Sequence, residues 1–587
     1  MRDPQPAGRT DAQAGGVWRK PSRLPTPGII ITALCALAIA LAVPIFGNAY
    51  ALQLATDTLM TVVLAYSWNL ISGFTGYLSF GQVTFFGLGA YVTALLVLHT
   101  PIPWYAAAPI AGGVCAVAAL ALGAVMLRLR GILFALGMAG LARILAVAFA
   151  DWNFAGDSVG LTLPAELTPI AVYAGMTLLA LAAFGLNLYF SRAGLGLDAM
   201  AIRDDEDAAA ALGVATTRVK VIAFVLSAIL PAIAGGLVAW NRSYLDPPSA
   251  FDPTIDLQTV VFVLFGGIGT LWGPLIGAVT LSLVGEEFLV HFPEIELALF
   301  GGLVIVLVLV FPGGLVGLAN RFGWLQRRAS LAPPALPAGA PPAADPPTAD
   351  GAVLAVENLT VRFGGVVAVD DVSFAIGRRE IVSIIGANGA GKTTLFNAMT
   401  GFVTPSAGEV RYLGRPIGHV ATFRRARAGI ARTFQIPRLM ESLTVWENVV
   451  LASRHGKQAD RAVDHAAWTL RITGLDALWL ARAETLSPGR RRQLELARAL
   501  ALEPTIVLLD EVMAGMTRQE QEVIRSVVRR LPAFGVSAVA VEHVIAAIRD
   551  LSDRMVVLDF GRKIAEGAPD AVLCDPAVVK AYLGEPV

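Results

Sequence analysis

Charge is scarce in this chain. Asp, Glu, Lys and Arg make up 15% of its 587 residues while 55% are hydrophobic, a balance too apolar for an ordinary soluble protein and one that predicts a membrane protein. Lys plus Arg and Asp plus Glu are equal at 45 each, so no positive surplus points to a nucleic-acid partner. The zero is an average over unlike halves, because most of the charges lie after about residue 350. Cysteine is scarcer still: Cys35, Cys115 and Cys574 have no short spacing, which excludes a disulfide framework and a zinc site and leaves them as small buried hydrophobes. A removable signal is missing as well. Residues 1–27 carry Arg2, Arg9, Arg19, Lys20 and Arg23 against Asp3 and Asp11, the chain turns apolar at Gly28, and apolar segments keep coming, so a first membrane span is expected there.

Apolar runs long enough to cross a bilayer, which takes about 20 residues as helix, lie at 28–47, 51–72, 78–98, 103–127, 131–150, 168–190, 221–240, 257–284 and 298–316. A cytoplasmic basic amino terminus puts Arg128 and Arg130 on the same side as the loop holding Arg192, Arg203, Arg218 and Lys220. Nine crossings, however, would leave Arg321, Arg327, Arg328 and everything beyond outside the cell, so one run is miscounted. The run at 257–284 contains FGGIGTLWGP, where glycines and a proline weaken a continuous helix; if it re-enters, eight spans return the chain to the cytoplasm. The stretch GFTGYLSFGQ, Gly73 to Gln82, is interrupted in the same way. Two glycine-broken apolar segments, one in each half, fit an internal repeat with irregular backbone along a solute path, or close helix packing through glycine.

Residues 191–220 are too polar to cross and too rich in alanine and apolar repeats for a floppy loop, so one or two short cytoplasmic helices are expected, either solvated or docked on a soluble partner. The stretch 329–350, with seven prolines and no apolar face, is a semi-rigid tether. Beyond it, strand-length runs (VENLTVRF, EIVSIIG, TIVLLD, VSAVAVEH, RMVVLDFG) alternate with amphipathic helical stretches, the pattern of an α/β domain. The fold class is thus a polytopic α-helical membrane domain plus an α/β P-loop NTPase domain. Its divisions are an amino-terminal cytoplasmic segment at 1–27, about eight to ten spans at 28–328, the tether at 329–350 and a nucleotide-binding domain at 351–587.

GANGAGKT, Gly386 to Thr393, fits the G-x-x-x-x-G-K-[ST] phosphate loop between a buried strand and a helix. Its glycines let backbone amides approach the phosphates, Lys392 neutralises their charge and Thr393 can hold Mg²⁺. Asn388, Gly389, Ala390, Gly391 and Thr394 complete the cradle for ATP. In PTIVLLDE, an apolar strand ends in two carboxylates: Asp510 suits Mg²⁺ coordination through water, and Glu511 is placed to polarise an attacking water.

The order of phosphate loop, Gln435 in GIARTFQIPRLM, LSPGR, LLDE and His543 in AVEHV resembles an ABC-type ATPase. That resemblance implies stacking of Phe363 on adenine, sensing of γ-phosphate and Mg²⁺ by Gln435, a γ-phosphate contact from His543, and a signature turn at Ser487 and Gly489 that meets the γ-phosphate of an opposing domain. A narrower resemblance covers nearly the whole chain. SWNLISGFTGYLSFGQVTFFGLGAY, RLRGILFALGMAGLARIL, FAGDSVGL, AIRDDEDAAAALGV and FGGIGTLWGPLIGA are similar to the M-type permease of branched-chain amino acid ABC importers. LTVWENV, LSDRMVVLDFGRKIAEGAP and DPAVVKAYLGE are similar to the G-type ATPase of the same systems.

A bacterial inner-membrane location follows from the resemblance, with lipid around the spans and the ATPase in the cytoplasm. It also implies a coupling role for residues 191–220, a second permease and a second ATPase subunit (or a second copy of this chain), and an extracytoplasmic solute-binding protein. Urea, short amides and aromatic acids stay open as solutes, and an exporter or a regulatory ATPase as other classes. Three departures lie on the signature or the adjacent loop: Arg490 for the usual glutamine, Val512 for proline, and Met516-Thr517 for leucine and asparagine or aspartate. They predict asymmetry, with a competent site on this chain's phosphate loop and a weaker one that borrows LSPGR. Arg490 and Arg491 also add positive charge at an already positive helix end, a local cost of about 0.3–1 kcal/mol that bound phosphate offsets.

Overall fold

The computed structural model describes residues 42–45, 47–164, 169–242, 244–291, 302, 305, 313–321, 351–542 and 549–583. The basic amino-terminal segment, most of the runs at 28–47 and 298–316, and the tether at 329–350 lie outside these residues.

Apolar runs become helices in order: α1 (Ala49–Trp68), α2 (Gln82–His99), α3 (Trp104–Met126), α4 (Ile132–Ala150) and α5 (Pro169–Arg192). Residues 191–220 supply two short helices, α6 (Gly194–Asp204) and α7 (Glu206–Ala211), before α8 (Thr216–Arg242). Among the described residues five helices, α2, α3, α4, α5 and α8, are long and apolar enough to cross a membrane. A two-stranded ribbon of β1 (Leu161–Thr162) and β2 (Tyr244–Leu245) joins the loops before α5 and after α8. In lipid, helices gain little from hydrophobic burial and associate through close packing. Here α2 meets α8 through glycine: a Cβ on Gly89 would stand 2.2 Å from the Ala232 carbonyl oxygen, and one on Gly235 would stand 2.0 Å from that of Phe86.

The run at 257–284 is broken, but into more than a shallow dip. It forms α9 (Pro253–Gly266) and α10 (Gly273–His291), joined by a turn in which Gly267 and Gly269 take φ of 129° and 70°. The pair is antiparallel and tightly packed, since Cβ atoms on Gly266 and Gly277 would each lie 1.8 Å from the carbonyl oxygens of Gly273 and Phe262 respectively. At 1.5 Å per residue the two helices are about 21 and 28 Å long. A hairpin contributes an even number of passages, which meets the parity requirement as well as a re-entrant loop does.

GFTGYLSFGQ is irregular as well: α1 runs into a π-helical turn, Asn69–Gly73, the helix ends at Thr75, and the backbone is non-helical from Gly76 to Gly81. The polar groups released there find internal partners, as they must in lipid. Asn69 donates to Asn187 Oδ1 (3.0 Å) and to the Thr270 carbonyl (3.1 Å) and accepts from Gly269 N–H (2.9 Å). Asn187 donates to the Tyr66 and Ala183 carbonyls. Arg203 of α6 donates to the Gly73 carbonyl at 3.1 Å. The two broken stretches therefore meet, at the end of the bundle where α6 docks. Beside them Lys220, only 4% exposed, donates to Glu206 (2.7 Å) and Tyr77 (2.8 Å), and Tyr77 donates to the other Glu206 oxygen at 2.6 Å. Arg130 is 3.7 Å from Glu206, so the basic loops predicted to share one side do so.

The carboxyl-terminal half has strands β3 (Leu354–Phe363), β4 (Val366–Ile376), β5 (Ile381–Gly386), β6 (Ala407–Tyr412), β7 (Arg415–Pro416), β8 (Ile430–Arg432), β9 (Ile506–Asp510), β10 (Ser537–Val541), β11 (Arg554–Asp559) and β12 (Arg562–Gly567). One sheet runs β12-β11-β5-β10-β9-β8 and is parallel except for β12; a smaller antiparallel one runs β4-β3-β6-β7. Strands β5, β9 and β10 are buried along their whole length, which is why they read as unbroken apolar runs. After the short α11 (Gly314–Arg321), the helices are α12 (Lys392–Thr400), α13 (Thr422–Ala428), α14 (Val445–Ser453), α15 (Ala462–Ile472), α16 (Pro488–Ala501) and α17 (Arg518–Arg530). One expectation fails: Cys115 is buried, but Cys574 is exposed because it caps the solvent-facing end of the short helix Pro569–Leu573. Cys35 lies outside the described residues.

The hairpin contact makes a direct prediction. Gly277→Val drives its side chain into the Phe262 carbonyl and is expected to cost about 1–3 kcal/mol, lowering the thermal midpoint in detergent. Gly285→Ala, whose Cβ would meet nothing within 4 Å, is expected to leave that midpoint unchanged.

Candidate functional site

The phosphate loop is shaped by backbone first. β5 ends at Gly386, where a Cβ would press to 2.4 Å from the Leu558 carbonyl oxygen of β11. Gly389 and Gly391 hold φ of 84° and 93°, the left-handed region that side chains disfavour. Asn388, Gly389 and Thr393 are exposed, Thr394 is half-buried and Ala390 is buried, so the loop opens on one side to solvent. Lys392 lies along its floor, donating to the Gly386 (2.7 Å) and Ala387 (2.9 Å) carbonyls. Burial holds its ammonium below the usual lysine range, while Glu511 and Asp510 pull the other way. A lysine parked on carbonyls is a cation held ready beside an open amide cradle.

The carboxylates arrive at the end of β9, which is separated from β5 by β10. Asp510 ends β9, buried, its N–H donating to Thr433 Oγ1 at 3.0 Å. Glu511 follows with φ 49°, a conformation that costs a non-glycine residue energy and is characteristic of functional turns. Gln435 Nε2 donates to Glu511 Oε1 at 3.1 Å, which brings two of the sequence-predicted residues into contact. Phe363 stands half exposed at the end of β3, an aromatic face free of core packing. His543 lies outside the described residues.

Ser487 and Gly489 belong to a different place, the start of α16. Ser487 is the N-cap, its Oγ accepting from Arg490 N–H at 3.4 Å, with Pro488 in the first turn where its missing N–H is harmless. Gly489 packs closely on α17: a Cβ there would sit 2.1 Å from a Glu520 oxygen and would push that carboxylate aside. None of the three arginines hangs free over the turn. Arg490 reaches the Gly474 carbonyl (2.9 Å) and Gln493 (2.8 Å), Arg491 pairs with Glu441 (2.8 Å), and Arg492 donates to the Glu511 carbonyl at 2.5 Å. Thr517, in place of asparagine or aspartate, caps α17 in a reciprocal capping box with Glu520, so the substitution keeps the cap chemistry.

Sequence reasoning missed the residues that hold Gln435 in place. Glu495 of α16, fully buried, accepts from the N–H groups of Phe434 (3.1 Å) and Arg438 (3.4 Å), and Arg498 donates to the Arg438 carbonyl at 2.7 Å. Arg432 binds Asn397 and Thr400 of α12 and lies over the Phe402 and Phe434 rings. The available signal was a pair of opposite charges, Glu495 and Arg498, inside the largely apolar LELARAL. The segment so held touches the membrane half: Asp204 accepts from Ser442 N–H (2.9 Å) and hydroxyl (2.7 Å), Arg438 is 3.6 Å from both Asp205 and Asp207, His455 is 3.0 Å from Asp198, and Arg427 donates to the Gly213 carbonyl (2.7 Å).

Residues 50–309 match the family model of the branched-chain amino acid transport system permease component, 369–514 that of the ABC transporter, and 562–587 that of the branched-chain amino acid ATP-binding cassette transporter. The high-affinity branched-chain amino acid transport ATP-binding protein BraF of Pseudomonas aeruginosa is 36% identical over 250 residues, covering 40% of this chain and 98% of BraF. LivG of Escherichia coli, of the same description, is 34% identical over the same shares. A crystal structure of the ADP conformation of an ATP-binding cassette of an ABC transporter is 31% identical, spanning 40% of this chain and all of its own, at a TM-score of 0.37.

Burial raises the Glu495 carboxyl from 4.5 to about 7, against the opposing pull of Arg498 and the two N–H groups. The folded chain therefore binds a proton that the unfolded chain releases. This contribution to stability is fully present below about pH 4.5 and falls away as pH rises through about 7. Glu495→Gln is expected to flatten the dependence of thermal midpoint on pH between these values, measured on the full-length protein in detergent.

Proposed function

Because the chain belongs to the branched-chain amino acid ABC transporter family, as a permease fused to its ATP-binding component, we propose that its ATP hydrolysis drives uptake of branched-chain or other hydrophobic amino acids. The observation that carries the reading is the seat of the acidic run Asp204–Asp207 on Arg438 and Ser442, a few residues beyond Gln435 in the chain. Gln435 touches Glu511 at one end of this segment, and the membrane helices are held at the other.

In this reading Gly386, Asn388, Gly389, Ala390, Gly391 and Thr394 present amides and hydroxyl to the phosphates, Lys392 turns from its carbonyls to the γ-phosphate, and Phe363 stacks on adenine. Thr393, Gln435 and Asp510 are hard oxygen donors with a single carboxylate among them, a set that suits Mg²⁺ bound with phosphate and water rather than a caged metal. No cluster of three or more His, Cys, Asp or Glu among the described residues competes with it. Held there, the ion would neutralise charge on the phosphates. Glu511 polarises the attacking water, and His543 meets the γ-phosphate. Ser487 and Gly489 serve the nucleotide of a second ATPase domain, so a second permease and ATPase subunit, or a second copy of this chain, completes the transporter in the bacterial inner membrane. An extracytoplasmic binding protein delivers the solute.

Glu511→Gln is expected to keep nucleotide binding and to lower ATP turnover at least about 100-fold, roughly the worth of a positioned general base; unchanged turnover sinks the assigned role. In vesicles reconstituted with partner subunits, leucine uptake is expected to need ATP and a solute-binding protein. Uptake without the binding protein, or ATP-driven efflux, overturns the importer reading. Arg490→Gln is expected to raise turnover by restoring the second site, read as Vmax at saturating ATP.

A further inference from the structure

Arg143 is out of place for a lipid-facing residue. In the five helices long and apolar enough to cross a membrane, it alone among Asp, Glu, Lys and Arg stands more than five residues from either helix end. It is the twelfth residue of the 19-residue α4, so its Cα lies about 16 Å along the axis from Ile132 and about 10 Å from Ala150. The side chain is exposed, and no hydrogen bond or ion pair joins it to another described residue. Leu136, Ala139, Gly140 and Val147 share its exposed face, and a Cβ on Gly140 would meet nothing within 4 Å.

Escape to water is unfavourable in direction as well as distance. Cα–Cβ bonds in a helix lean toward the amino terminus, which in α4 is the end beside Arg130 and Glu206. The stem therefore leads the guanidinium toward the bilayer centre and away from the nearer surface at Ala150. Charged residues at this depth face a protein interior or a hydrated path rather than acyl chains. Small neighbours such as Ala139 and Gly140 leave room for both a second subunit and a solute.

We propose that Arg143 lines the solute path between this permease half and the second permease subunit, and binds the carboxylate of the passing solute. The assignment rests on the amino-acid reading above, since a guanidinium fork matches a carboxylate in shape and charge. The acidic residue nearest in depth in the other half of the fold is already engaged: Asp256 accepts from Val83 N–H at 3.0 Å. Among the described residues Arg143 has no such partner, and a single charge in a hydrated path grips a carboxylate without trapping it.

The test uses the complete transporter in vesicles, with Cys35, Cys115 and Cys574 replaced by alanine and a leucine-loaded binding protein. Arg143→Gln is expected to lower leucine uptake at least tenfold while ATP turnover and copurification of the second permease persist; Arg143→Lys is expected to retain part of the uptake. Arg143→Cys is expected to react with water-soluble methanethiosulfonates, and 2-aminoethyl modification, which restores a positive charge, to recover uptake that 2-sulfonatoethyl modification does not. Wild-type uptake by Arg143→Gln, an unreactive Arg143→Cys, or loss of the second permease from the purified complex overturns the assignment alone. A parent complex that moves no leucine overturns the proposed solute and this assignment with it.

Discussion

Four consecutive carboxylates, Asp204 to Asp207, make the joint on which both halves depend. Side by side they repel, and a short segment would not hold such a run without cations on every side. Each is engaged: Asp204 by Ser442, Asp205 by the N-terminus of α7 and by Arg438, Glu206 by Lys220 and Tyr77, Asp207 by Arg130 and Arg438. Two of those neighbours stand on the ATP-binding half, and the others stand on the membrane half. The acidic run thus ties the two halves together, held by Ser442 and Arg438 on the ATP-binding side and by Lys220, Tyr77 and Arg130 on the membrane side.

Helix α16 plays the corresponding part on the other side of that joint. Its first turn carries the signature, and its next turns hold the Gln435 segment through Glu495 and Arg498 and the Glu511 carbonyl through Arg492. One helix therefore carries the Ser487–Gly489 turn at its start and holds both the main chain of Glu511 and the segment that meets the membrane half. The arginines that made LSPGRRR look like a damaged motif are explained in part by this arrangement, since Arg491 and Arg492 spend their charge on Glu441 and a carbonyl rather than on the turn. Arg490 folds back to Gly474 and leaves the amide end of the helix uncovered.

Much of this was legible before any coordinates. Unbroken apolar runs gave β5, β9, β10 and β11 because a parallel sheet covered on both faces leaves no polar position to interrupt them. β4, β6, β8 and β12 were missed, being half-exposed, mixed in composition or only a few residues long. Glycine spacing marked both broken membrane segments, yet not that one of them is a full helical hairpin, because tight antiparallel packing depends on which glycines face each other. The phosphate loop and the strand-end carboxylates carry motifs. The residues that hold the segments around them, Glu495, Arg492 and Arg498, act through backbone carbonyls and N–H groups, which leave no mark on spacing.

The hairpin of α9 and α10 has a consequence for how the chain is made. Its two helices pack antiparallel through Gly266 and Gly277, so both of its ends emerge on the same face. A membrane-insertion machine can therefore release it as one unit late in synthesis without deciding anew which way the following chain must run. The side on which the ATP-binding half folds is settled by the basic loops upstream, and the hairpin can change in length or sequence without sending that half to the wrong compartment.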